Sequence, residues 1–113
     1  MKKKIVLIGI LILAVLFFSS CKKKYMAWVT ILNDGDILIT ASVEDEAESI
    51  PAGESVTWEI HWEGDRLTTV RLYAEPFGFN DFDEAYVTLE SNEEYTWVTG
   101  WVYVGKSLSK KAR

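Results

Sequence analysis

Apolar positions fall into two regimes along this chain. Residues 5–18 form an unbroken apolar run of 14 residues behind Lys2, Lys3 and Lys4. From residue 25 onward apolar positions alternate with polar ones, in β-branched and aromatic runs of six to nine residues bounded by turn residues. The first regime has the length of the apolar region of an export signal, about 7–15 residues, and falls short of the ~20 that a spanning helix needs. It is expected to be a signal helix. The second has the period of strands, and no helical period is evident in it.

Strands are predicted over 26–32, 37–43, 55–62, 67–74, 85–90 and 95–104, six or seven in all. Asp34 and Gly35 are expected to close a tight hairpin between the first two, because a Gly there supplies the positive φ that such a turn demands. Along the second strand the alternation puts Ile37, Ile39, Ala41 and Val43 on the core face. Along the third it puts Val56, Trp58, Ile60 and Trp62 on one face, with Thr57, Glu59 and His61 on the other. Acidic residues 44–48 and the breaker cluster 50–53 read as a loop, as does 75–84 with Pro76, Phe77, Gly78, Phe79 and Asn80. Gly100 is a position for a bend or bulge in the last strand.

Ser19, Ser20 and Cys21 close the apolar run, and Cys21 is the only cysteine in the chain. An unpaired cysteine in an exported protein calls for a use. The segment resembles the signal of bacterial lipoproteins, departing from it in having Phe18 where an aliphatic residue is usual. The resemblance implies that residues 1–20 are removed and that the sulfur of Cys21 is lipidated. Each buried methylene adds about 0.8 kcal/mol of membrane affinity, so two or three acyl chains would hold the protein at the membrane. Lys22, Lys23 and Lys24 follow as a basic tether, and in place of the Asp that marks inner-membrane retention stands Lys22. The implied location is the cell envelope: the outer membrane where the host has two membranes, otherwise the outer face of the plasma membrane.

Residues 25–105 suffice for one small domain. Short strands at even spacing predict an all-β fold, a single antiparallel β-sandwich. The order of elements, with a Trp on the third strand behind a Pro and Gly turn, resembles an immunoglobulin-like or fibronectin-type domain. Residues 106–113 turn basic and polar and read as a disordered tail.

Charge changes the picture. All 17 acidic residues lie between 34 and 94, and against them residues 25–105 carry only Arg66 and Arg71, a balance of −15 that the whole-chain value of −5 hides. Nucleic acid is excluded as a partner, since a phosphate backbone calls for a basic face. Carboxylates at Asp34 and Asp36, and at Asp81, Asp83 and Glu84, have the composition of calcium loops without the spacing of an EF-hand, and the bland reading is that they are turn residues and solubilising charge.

The chain has five Trp, five Tyr and five Phe, all but Phe17 and Phe18 in residues 25–105, and these exceed what a thin sandwich can bury. Trp28, Trp97, Trp101, Tyr73 and Tyr86 are candidate contact residues on the sheets, and Phe77 and Phe79 in the loop between strands. Their alternative is packing between the sheets or across their ends. Catalysis has little support: His61 is the only histidine, Thr57 stands where a nucleophile elbow would need its second Gly, and no cluster of His or Cys could hold a transition metal. The expectation is a non-enzymatic envelope protein that binds an unknown protein partner, or alternatively a carbohydrate or peptidoglycan module using exposed Trp and Tyr.

Overall fold

A computed structural model describes residues 23–111. The expected signal helix and Cys21 lie outside the described residues. The described residues form nine strands: β1 Lys24–Asn33, β2 Ile39–Val43, β3 Glu46–Ile50, β4 Ser55–Glu63, β5 Leu67–Pro76, β6 Asp83–Glu90, β7 Glu94–Thr99, β8 Trp101–Val104 and β9 Ser107–Lys110. They form a three-stranded sheet in the order β4-β1-β7, a four-stranded sheet in the order β3-β2-β5-β6, and a two-stranded ribbon of β8 and β9. The all-β, sandwich-like fold is as expected from the period-2 pattern.

The core lies between the two larger sheets. Ala27, Val29 and Ile31 from β1 face Ile39, Ala41 and Val43 from β2 and Val70, Leu72 and Ala74 from β5, all buried. Trp58 is buried beside them, and Val56, Ile60 and Trp62 pack against the same cluster. The alternation read for the second and third predicted strands therefore holds.

Several expectations are corrected. Residues 34–38 do not close a hairpin; they carry the chain from one sheet to the other, and Gly35 does not have a positive φ. Gly35 is needed for a different reason. Its backbone lies directly against Gly100, and a Cβ on either residue would fall far inside van der Waals contact with the other segment's backbone. Asp34 N–H and Asp36 N–H donate to the Thr99 and Trp101 carbonyls at 2.8 and 2.7 Å, which prolongs the pairing of β1 with β7 past the end of both strands. That pairing is parallel, so the domain is not purely antiparallel.

Buried Asn33 fixes the same crossing. Its Nδ2 donates to the carbonyls of Ile37 and Ile50, each at 2.8 Å, and its Oδ1 accepts Gly35 N–H at 3.0 Å. Three side-chain hydrogen bonds thus satisfy a polar group that the core could not otherwise accept.

The acidic segment read as a loop contains β3, which joins β2 through a two-residue turn with Glu44 at φ 56°. The long final strand is divided at Gly100 into β7 and β8. Residues 107–110 of the expected disordered tail form β9 and pair with β8 from Trp101 to Val104.

Candidate functional site

Exposed aromatic rings collect on the outer face of the four-stranded sheet and at one end of it, with Tyr103 of β8 standing apart. Along β5 the buried set Val70, Leu72, Ala74 and Pro76 alternates with Arg71, Tyr73 and Glu75, which point outward. Opposite them on β6, Glu84 pairs in register with Tyr73 and Tyr86 with Arg71. The outward row runs one residue further, because Phe77 N–H donates to the Leu38 carbonyl at 3.0 Å and so extends the β5–β2 ladder into the loop. Gly78, at φ 82°, then turns the chain toward Phe79 and Phe82.

Tyr73 is the centre of this surface. Its ring stacks on Phe82 with centroids 5.6 Å apart and planes at 15°, and the Arg71 guanidinium lies 4.7 Å over it. Arg71 is held by Glu84, whose hydrogen bond raises the guanidinium's pKa above its ordinary value. Burial of the Tyr73 hydroxyl, reinforced by Glu75 at 3.4 Å, raises its pKa as well, so it stays a neutral donor at physiological pH. Around this fixed pair the remaining rings stand in solvent: Phe77 is 68% exposed, Tyr86 66%, Phe82 54% and Phe79 46%. Phe77 and Phe79 border a shallow hollow of about 400 Å³ with Thr40 and Glu75. Pre-ordered rings with a desolvation gain still to be realised are the usual anchors of a binding surface.

The loop end of this surface lies far from the start of the domain. β1 begins at Lys24 and its 10 residues, at about 3.3 Å each, span about 30 Å. Asn33 at its far end is tied to Ile37 and Ile50, and Ile39 pairs with Pro76, which places the 77–82 loop at that far end.

The seven aromatic candidates thus separate. Tyr73, Tyr86, Phe77 and Phe79 share the outer face and its end, and Phe82, which the sequence reading missed, joins them. Its signal was there: it follows Phe77 and Phe79 in the same polar, Gly-containing loop. Trp28 stands on the outer face of the other sheet, in register with Glu59 on β4 and Glu94 on β7. Trp97 packs partly buried against the core. Trp101, expected to be a contact residue, is corrected: it is fully buried, and its indole N–H donates to Asp81 at 2.7 Å.

The carboxylates considered for calcium each hold a protein partner. Asp34 pairs with Lys111 at 2.9 Å, Asp36 accepts Tyr103 N–H at 3.3 Å, Asp83 accepts the Thr99 hydroxyl at 2.7 Å and meets Lys110 at 3.3 Å, and Glu84 holds Arg71. Asp81 accepts Trp101 Nε1 and Phe82 N–H, and these two bonds lower its pKa below the usual aspartate value. Among the described residues no group of three or more acidic, His or Cys side chains is arranged to hold a metal ion. His61 is exposed and bonded to Glu59 at 2.8 Å.

Comparison of the chain with family models, curated proteins and solved structures finds no match.

Proposed function

We propose that this is a lipid-anchored protein of the cell envelope whose sandwich is a non-enzymatic protein-interaction module. Cys21 carries the lipid, and the docking surface is the ring-bearing outer face of β5 and β6 with the 77–82 loop. The observation that carries the reading is the gathering of Tyr73, Phe77, Phe79, Phe82 and Tyr86 on one surface, which runs from the middle of β5 and β6 to the loop at the end of the domain away from Lys24. Rings at that end are directed at a partner and away from the lipid that tethers the other end. The acidic remainder of the surface keeps the domain soluble and off anionic headgroups.

Capture from detergent-solubilised envelope tests this, with the full chain as bait beside the Phe77→Ala/Phe79→Ala double variant. A saturable partner retained by the parent chain and reduced at least tenfold by the variant, with melting temperatures alike, is the expected result. Equal capture by both would remove the surface from the proposal.

A second reading, a carbohydrate or peptidoglycan module, is favoured by Trp28. Its ring lies between Glu59 and Glu94 in register, with Thr30, Thr57 and Thr96 in the next row of the same face, a stacking plane beside hydrogen-bonding groups. Glycan or peptidoglycan binding abolished by Trp28→Ala and untouched by the Phe77→Ala/Phe79→Ala variant would put this reading first.

A further inference from the structure

The two sheets part along the side where β6 faces β7. β6 ends the four-stranded sheet and β7 ends the three-stranded one, and among the described residues neither outer edge has a neighbouring strand. Between them lies a cleft of about 260 Å³ with an apolar lining that includes Val29, Leu72, Val87, Tyr95 and Trp97. Side chains close its ends: Tyr95 Oη accepts Glu90 N–H at 2.8 Å at one, and Thr99 donates to Asp83 at 2.7 Å at the other.

The direction of the backbone groups along this cleft follows from the bonds around it. Phe77 N–H reaches Leu38 and the Arg71 carbonyl accepts Glu44 N–H, so odd residues of β5 face β2 and even residues face β6. Their partners Ala85, Val87 and Leu89 complete those bonds, which turns the N–H and C=O of Tyr86 and Thr88 toward the cleft. Glu84 and Glu90 share that parity, and their N–H groups go to side chains, Asp83 Oδ1 and Tyr95 Oη. On β7 the carbonyls of Glu93 and Thr99 accept from β1, so the groups of Glu94, Thr96 and Val98 are the ones turned outward. The cleft therefore combines an apolar floor with a rim of backbone donors and acceptors that no strand uses. Neither β6 nor β7 contains the Lys or Pro with which exposed edges are commonly guarded.

We infer that this cleft accepts an extended segment of a partner protein as a strand added to β6, its alternate side chains apolar and entering between Val87 and Trp97, and its flanks bearing lysine or arginine. Main-chain bonds to Tyr86 and Thr88 supply the affinity and the apolar floor selects the alternating pattern. The cations follow from charge: with β9 included the described residues 23–111 still carry −10, no basic residue lines the cleft, and Glu93 and Glu94 stand beside its Tyr95 end, while Lys110 meets Asp83 at the other. A second copy of this chain would bring the same negative surface and is disfavoured. The inference rests on the reading of the domain as a protein-interaction module and gives it a second, chemically defined contact.

The test titrates the ¹⁵N-labelled full chain in detergent micelles with a nonapeptide of alternating valine and threonine carrying two lysines at each end. Amide exchange of Tyr86 and Thr88 is expected to slow at least tenfold at saturation. The same peptide with proline at its centre, or with glutamate replacing lysine, is expected to bind at least tenfold more weakly. Thr88→Pro, which deletes an outward N–H and leaves the bonds to β5 in place, should weaken binding similarly, whereas Phe77→Ala should not. If Thr88→Pro folds poorly, exchange in the parent chain decides alone. Unslowed Tyr86 and Thr88 amides, equal affinity for the proline-interrupted peptide, or self-association through β6 in sedimentation without peptide would each overturn the inference. Envelope capture that depends on Phe77 and Phe79 while these amides stay unslowed would overturn the cleft and leave the outer-face reading standing; slowed amides without capture would do the reverse.

Discussion

Trp101 and Asp81 are joined by a 2.7 Å hydrogen bond from the indole Nε1 to Oδ2, so that a fully buried ring is held by a carboxylate at the rim of the domain. Asp81→Ala would leave that N–H without an acceptor and is expected to cost about 1–3 kcal/mol in urea unfolding. The bond also sets a pH dependence. It lowers the folded-state pKa of Asp81, so the stabilisation is fully present above the ordinary aspartate value and is lost as pH falls through the folded value. Melting temperature should therefore fall on acidification below about pH 4, and less steeply in Asp81→Asn.

Asn33 has no counterpart that could replace it. Asn33→Ala removes three hydrogen bonds at once and leaves the Ile37 and Ile50 carbonyls and Gly35 N–H to find other partners in a closed site. A loss on the order of 2–4 kcal/mol, read by chemical denaturation, is expected. Asn33→Asp should be no better, since a carboxylate would face two carbonyl oxygens.

Two kinds of glycine can be told apart by one substitution. Gly35→Ala and Gly100→Ala each force a methyl into opposing backbone, and are expected to cost several kcal/mol or to prevent folding. Gly53→Ala meets open space and suffers only from its φ of 80°, about 1 kcal/mol. Melting curves that placed Gly35→Ala beside Gly53→Ala would show that the crossing at Gly100 yields easily.

Lipidation at Cys21 predicts that Cys21→Ser moves the protein from the membrane to the soluble exported fraction, with the folded domain's melting temperature unchanged. Retention of the variant at the membrane would remove the lipid anchor from the proposal.

Much of the fold was legible because a core face declares itself locally. The spacing of Ile39, Ala41 and Val43, and of Val56, Trp58, Ile60 and Trp62, fixed two strands and their inner faces. Where the decisive neighbour is distant, the reading failed. Asp34 and Gly35 have hairpin chemistry, yet Gly35 serves an approach to Gly100, 65 positions away, which no local pattern records. The β3 segment reads as a loop because an edge strand exposed on both faces carries charges where a central strand carries Val or Ile. β9 was hidden in the same way by its serines and lysine. Aromatic count showed that some rings must stay outside without saying which. Trp101 went inward because Asp81, brought beside it by the topology, could take its N–H, and Phe82 stayed outside on Tyr73.

β1 enters the domain at Lys24 and lies between two partners, nine residue pairs with β4 and six with β7. A force applied through the chain ahead of Lys24 acts along this strand and loads both ladders in shear, all bonds together, where a strand at an edge could be peeled one bond at a time. If the chain is anchored through Cys21 as proposed, the strand nearest that anchor is the one best placed to resist extraction, and a pull transmitted through it would be borne by the middle of the sheet before any outer strand was stripped away.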